Sequence, residues 1–273
     1  MMNDTAVRMF FKTVDGQDAD TIAAFFAPEV LLRMGATMRV EGRDAARDAF
    51  AGTAKRFRAI SHAIRAIRRG TQEQDGVAVE ADASYTVASG EVITVPVTST
   101  LRFNGDLIHR YDIDIDLAPV LAAERASDDA RREANSQAVQ AFLRHLEEMD
   151  FEAFASLFAE NAVQENPYGP PNYPATIVGR KTLKEHYASL GAAYESMRFT
   201  ELTLDALVST DMVVAQFRGD IRVKGGAKYD NRYCTFFTFD TEGKITIYRE
   251  YFNPLVTLAA FDDDTVPASL RKK

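Results

Sequence analysis

The sequence predicts an α+β protein of two tandem domains, each with helices packed on a curved antiparallel sheet. Three observations carry this. First, the chain repeats itself in order: Ala6-Val7-Arg8-Met9-Phe10 returns as Ala138-Val139-Gln140-Ala141-Phe142, Asp18-Ala19-Asp20 as Asp150-Phe151-Glu152, Gly42-Arg43 as Gly179-Arg180, and Gly105-Asp106-Leu107-Ile108 as Gly243-Lys244-Ile245-Thr246. A repeat this long is a whole domain, because solenoid periods run from about 20 to 50 residues. Second, each half opens with helical apolar spacing and closes with two-residue alternation. Third, 273 residues at 46% hydrophobic content suffice for two ordinary cores.

The elements follow in order. Val7, Phe10, Phe11 and Val14, and again Val139, Phe142, Leu143 and Leu146, sit at i, i+3, i+4, i+7, one apolar stripe on an opening helix. Short helices are expected over residues 18–26 and 150–158, with Asp18 and Asp150 as N-caps. Extended segments over 30–34 and 163–166 come next, then Gly-Arg and helices over 44–57 and 182–194. Strands are expected over 76–86, 92–103 and 107–117, and over 212–223, 229–239 and 244–252. Ser89-Gly90, Gly225-Gly226 and Glu242-Gly243 supply turns. The domains are therefore 1–122 and 135–262, with a charged linker over 123–134 and a polar tail over 263–273.

A net charge of −8 disfavours nucleic acid or an acidic membrane as partner. Arg65, Arg68 and Arg69 read as a solvated strand end. The single cysteine, Cys234, excludes an internal disulfide and a cysteine-rich zinc site, and reads as a small strand hydrophobe. The four histidines show no ligand spacing, so no metal is expected. Asp112, Asp114 and Asp116 form a strand-face row at about 7 Å per step, too wide to chelate one ion unaided. The chain enters a charged amphipathic helix at once and has no apolar run near the length of a membrane span, so a cytoplasmic protein is expected.

These residues resemble, once per half, the SnoaL-like, ketosteroid-isomerase-like family built on the nuclear-transport-factor cone. The second half carries the sharper stretch, from Gly243 through Tyr248-Arg249-Glu250-Tyr251-Phe252 to Pro254. The resemblance implies two tandem cone-shaped domains, each with a pocket open at one end. The ketosteroid isomerase trio of tyrosine, aspartate base and protonated aspartate is missing from both halves: Phe10 and Phe142, Met34 and Asn166, and Ser99 and Thr235 stand at those positions.

The second half also resembles limonene epoxide hydrolase, through Asn166, Arg218-Gly219-Asp220, and Glu250 in place of an aspartate. Gln164 departs from that family's tyrosine. The resemblance implies a catalytic set in which Glu250 takes a proton from a water held by Asn166, Asp220 protonates a strained-ring oxygen, and Arg218 orients both carboxylates. Gln164, Tyr168, Tyr248 and Phe252 are the expected substrate-binding residues. Arg218 and Asp220 share one strand face, and the expectation is that this face turns inward, toward Glu250. A same-face ion pair is the alternative for Arg218 and Asp220.

The first half lacks the set: its counterparts are Met34, Asp82, Ser84 and Asp112, so its pocket reads as degenerate. Residues 168–174, rich in tyrosine and proline, form a loop inserted only in the second half, as a domain-interface cover or a substrate wall. The expected function is a cofactor-free acid–base enzyme acting on a small, largely apolar metabolite by epoxide hydrolysis or related ring opening or closure. A non-catalytic small-molecule binder and a polyketide-cyclase or phenazine-type biosynthetic partner remain open. Pairing of the halves into an intramolecular pseudo-dimer through sheet residues Ile113, Ile115, Tyr233 and Tyr251 is expected, with a homo-oligomer also open.

Overall fold

The computed structural model describes residues 4–35, 38–70, 76–171, 173–209, 211–225 and 228–260. The tail over 263–273 lies outside them. The chain divides into two compact units, Met1–Asp128 and Asp129–Lys273. The first unit runs α1 (Asp4–Asp15), α2 (Ala19–Ala23), β1 (Phe26–Met34), β2 (Met38–Glu41), α3 (Arg43–Arg56), β3 (Ala59–Arg69), β4 (Val77–Thr86), β5 (Val92–Asn104) and β6 (Leu107–Ile115). Helix α4 (Ala118–Glu147) carries the chain into the second unit. There follow α5 (Phe151–Ser156), β7 (Phe158–Glu165), β8 (Thr176–Val178), α6 (Arg180–Ala193), β9 (Tyr194–Ala206), β10 (Met212–Val223), β11 (Lys228–Phe239), β12 (Ile245–Phe252) and α7 (Pro254–Ala260).

Each unit has one six-stranded sheet, ordered β2-β1-β6-β5-β4-β3 and β8-β7-β12-β11-β10-β9. The α+β reading holds, with one correction: the sheets are mixed, because β1 pairs parallel to β6 and β7 parallel to β12. After the β1–β2 or β7–β8 hairpin the chain crosses by a helix, α3 or α6, to the far edge. A four-strand meander then returns and lays its last strand beside the first.

Local chemistry explains the repeated sequence marks. The predicted stripe of α1 is buried at Val7, Phe10, Phe11 and Val14. Val139, Phe142, Leu143 and Leu146 of α4 are buried in the second core. Asp18 accepts hydrogen bonds from the backbone N–H of Asp20 and Thr21, and Asp150 from Ala153, each satisfying donors that a helix start leaves open. Gly42 and Gly179 precede α3 and α6 at φ 91° and 92°, a conformation that side-chain-bearing residues rarely adopt. That is the physical content of the repeated Gly-Arg.

Two segments differ from expectation. Residues 123–134, read as a linker, lie inside α4; they hold no glycine or proline and are rich in alanine, arginine and glutamate, so the helix continues through them. Strands β3 and β9 were not legible. Each carries a bulge in its pairing, at Ile64/Ala66 and opposite Gln216/Arg218, which breaks two-residue alternation. Ile113 and Tyr233, expected on outer sheet faces, are buried and line the cavities of their own units.

Candidate functional site

In the second unit, α4, α6 and the concave face of the sheet enclose a cavity of about 60 Å³. Six phenols line it: Tyr173, Tyr187, Tyr194, Tyr229, Tyr233 and Tyr248. Alternation on β12 turns Tyr248, Glu250 and Phe252 inward. Glu250 is 8% exposed, and the Tyr248 hydroxyl donates to its Oε1 at 2.6 Å. Among the described residues no arginine or lysine pairs with this carboxyl.

Burial raises the cost of its charge and pushes its pKa up to about 7, against a smaller downward pull from the Tyr248 hydrogen bond. The carboxyl therefore exchanges a proton near neutral pH. Burial pushes the Tyr173, Tyr187, Tyr233 and Tyr248 phenols well up, and the nearby Glu250 charge adds to the shift. They stay protonated and act as donors. Tyr233 donates to Tyr229 at 3.1 Å, and the Tyr229 hydroxyl lies 3.1 Å from Thr257 Oγ1, so the cavity wall is itself hydrogen-bonded. Phe217 stacks on Tyr233 with centroids 5.0 Å apart, making a flat aromatic side.

The expected catalytic set does not assemble. On β10, Phe217, Gly219 and Ile221 turn inward, so Arg218 and Asp220 project from the outer face. Arg218 pairs there with Asp230 through Nε at 2.7 Å and with Glu201 at 3.5 Å. Its guanidinium holds the Asp230 carboxyl down to about 2. Asp220 is exposed and meets Lys228 at 3.7 Å. The sequence placed these two residues correctly on one face, and that face is the solvent side; one carboxylate, not two, enters the cavity.

Tyr168 is likewise displaced. It is 65% exposed and packs on Tyr251 at 5.6 Å, away from the cavity. The residue of that loop that reaches inside is Tyr173, whose ring meets Phe252 at 5.7 Å and His186 at 5.9 Å. Gln164 and Asn166 are buried neighbours: the Gln164 amide donates to Asn166 Oδ1 at 3.0 Å, and Asn166 Nδ2 donates to Pro174 O at 2.8 Å. Asn166 thus pins the loop that carries Tyr173, and neither amide lines the cavity. Of the predicted site residues, Glu250, Tyr248 and Phe252 converge. Tyr173 belongs to the loop read as a possible substrate wall; Tyr187, Tyr194, Tyr229 and Tyr233 were missed as cavity residues, although of ten tyrosines only Tyr85 and Tyr111 fall in the first half.

Strand register fixes the counterparts in the first unit. Tyr111 pairs with Leu101 and Leu32, as Tyr248 pairs with Phe237 and Gln164. Ser99 pairs with Ile113, as Thr235 pairs with Glu250. The counterpart of Glu250 is therefore Ile113, one residue from the expected Asp112. Asp112 lies outward and binds Arg33 and Arg110 at 2.7 and 2.6 Å. Among the described residues no three His, Cys, Asp or Glu side chains gather as a metal site, and no helix is long and apolar enough to cross a membrane.

Two domains of one fold, each with a cavity against a six-stranded mixed sheet, define a tandem α+β pocket protein. The SnoaL-like domain model matches residues 7–111 and again residues 139–248, and the chain belongs to the SnoaL-like family. It is 29% identical over 126 residues to the YesE protein of Bacillus subtilis, covering 46% of this chain and 85% of that one. It is 31% identical over 119 residues to a PhzA/B-like protein of Pseudomonas aeruginosa, covering 43% and 83%. A solved structure of a phenazine biosynthesis-related protein from Pseudomonas aeruginosa aligns with 50% of this chain and 91% of its own, at 19% identity and a TM-score of 0.44.

Proposed function

We propose that the second unit is a general acid–base site for a small, largely apolar molecule, with Glu250 carrying the proton. The observation that supports this most is a carboxyl buried among phenols with no arginine or lysine paired to it among the described residues, and that burial pushes its pKa up to about 7. A group poised there both accepts and returns protons at physiological pH. Glu250 takes a proton from an acidic C–H or O–H of the bound molecule. Tyr248 donates to the carboxylate and holds its orientation, and the stacked Phe217 and Tyr233 rings receive the apolar body.

A single carboxyl that gives back what it takes suits isomerisation or ring opening and closure within one molecule. The two-carboxylate epoxide hydrolysis drawn from sequence loses its acid, since Asp220 faces solvent. The free space of about 60 Å³ holds only one or two waters. A ring-bearing substrate therefore needs some of the lining side chains to move aside.

The test is turnover of a panel of small epoxides, cyclic enones and enolisable ketones, with hydrogen–deuterium exchange at the acidic carbon as a second readout. Wild type is expected to act on at least one class and Glu250→Gln to lose that activity. Activity retained by Glu250→Gln would remove Glu250 from the chemistry, and binding of panel members with no exchange or product would leave a binding protein in place of an enzyme.

A further inference from the structure

The first unit holds a larger cavity, about 210 Å³, on the concave side of its own sheet. Its walls are mainly apolar, with Thr53, Arg56, His62, Tyr85, Ser99 and Tyr111 as the polar lining, and the Arg56 guanidinium is already paired with Glu124. His62 comes from β3, its side chain is 8% exposed, and its Nδ1 lies 2.7 Å from Asp15 Oδ1. The other Asp15 oxygen accepts the His62 backbone N–H at 3.2 Å. The ring also packs edge-on to Phe11 at 5.2 Å. A carboxylate on Nδ1 holds the neutral ring in the tautomer with its proton there, leaving Nε2 as the basic nitrogen.

The second unit shows which part of this the fold requires. Glu147, at the position of Asp15, accepts the backbone N–H of Phe199 at 2.6 Å. Phe199, at the position of His62, lines the other cavity. The acid tied to the strand backbone is thus common to both copies and serves the architecture. The imidazole on that acid is peculiar to the first. Asp15 also sits in the last turn of α1, where a negative charge opposes the helix dipole.

We propose that the cavity of the first unit is a second, separate ligand site, for a small ring-bearing molecule with one acidic hydroxyl, a phenol or an enol. His62 Nε2 takes the hydroxyl proton, Asp15 stabilises the imidazolium that results, and the oxyanion stays paired with it. The space exceeds the roughly 150 Å³ that accepts benzene in an apolar cavity. Burial keeps the Tyr85 and Tyr111 phenols protonated, so they add donors without charge.

The probe is 4-nitrophenol, whose absorbance separates phenol from phenolate, titrated into the full chain labelled with ¹⁵N-histidine. Wild type is expected to bind it with a gain of phenolate absorbance and a shift of one imidazole Nε2 resonance, the one missing in His62→Phe. His62→Phe carries the residue the other copy uses, and an unchanged Tm confirms its fold. It is expected to weaken binding about tenfold, the scale of a charge-assisted hydrogen bond. Glu250→Gln is expected to leave the signal intact, which separates this site from the one in the second unit. Absence of nitrophenol binding to wild type, equal binding by His62→Phe, or loss of the signal in Glu250→Gln alone overturns the proposal.

Discussion

The two units use one frame and place their polar groups at different points of it. Where the second unit has Gln164, Asn166 and Glu250, the first has Leu32, Met34 and Ile113; where the first has His62, the second has Phe199. Tyr111 and Tyr248 are the shared buried phenols. In the first, the hydroxyl lies 3.4 Å from Ser99 Oγ; in the second, it serves Glu250. The teaching is direct. A fold that closes around isoleucine at one copy of a position has no structural need of a carboxylate at the other. Burying that carboxylate costs stability, so its presence points to use. The comparison also separates room from reactivity: the copy with the neutral-range carboxyl is tight, and the copy with the imidazole is open.

The largest effect that sharpens this contrast is on rate. Glu250→Gln is expected to lower turnover by about 10²–10⁴-fold, the usual worth of a positioned general acid or base. The same measurement on His62→Phe should show no loss at the second unit, and an equal loss in both would break the contrast.

The next effect is on stability. A carboxyl raised from 4.5 to about 7 on folding binds more protons in the native than in the unfolded chain. Stability is then full below about pH 4.5, falls as pH rises through 7, and stays lowered above it, by roughly 3 kcal/mol in all. Glu250→Gln should therefore unfold at a higher denaturant midpoint than wild type at pH 8, with the difference nearly gone at pH 4. An equal shift at both pH values would show that the gain is not charge removal.

Tyr248→Phe should act more gently. Its hydroxyl favours the ionised Glu250, so its loss should move the acidic limb of the pH–rate profile, where the base becomes protonated, to higher pH and slow turnover about tenfold. A profile that moves down would assign the hydroxyl to another step.

Packing gives a smaller test. A Cβ on Gly191 would lie 2.3 Å from the Phe151 ring, and the first copy carries Ala54 and Ala19 at these positions. Gly191→Ala should cost about 1 kcal/mol, the low end for overpacking, because a ring edge can yield. Phe151→Ala in the same chain should then make Gly191→Ala less costly than it is alone.

The smallest effect is expected from Asp220→Asn, an exposed side chain. Turnover should be unchanged and stability should move by no more than about 0.5 kcal/mol. A large loss would return Asp220 to the mechanism.

How much of this was legible follows from which signals are periodic. The opening stripes, the Asp18 and Asp150 caps, the Gly-Arg marks and strands β4 to β6 and β10 to β12 all repeat local rules, and they stand in the structure where the sequence put them. Strands β3 and β9 escaped because a bulge breaks alternation. Glu250 was singled out by the resemblance of the last strand to limonene epoxide hydrolase, and alternation placed it on one face with Tyr248 and Phe252. Arg218 and Asp220 misled because alternation shows that two residues share a face and is silent on which face meets the core. That is settled by Phe217, Gly219 and Ile221, whose size and apolar character win the inward side. The His62–Asp15 pair, 47 residues apart, left no local trace.

The account depends on Glu250 holding its proton far above the ordinary carboxyl range. The direct measurement is a pH titration of the glutamate side-chain carboxyl carbons by ¹³C NMR in the full chain, with Glu250→Gln to assign the resonance. An inflection at about pH 7 that vanishes in the variant is predicted. A Glu250 resonance that titrates near 4.5, the ordinary carboxyl value, would contradict the claim that this pocket holds a neutral-range acid and base.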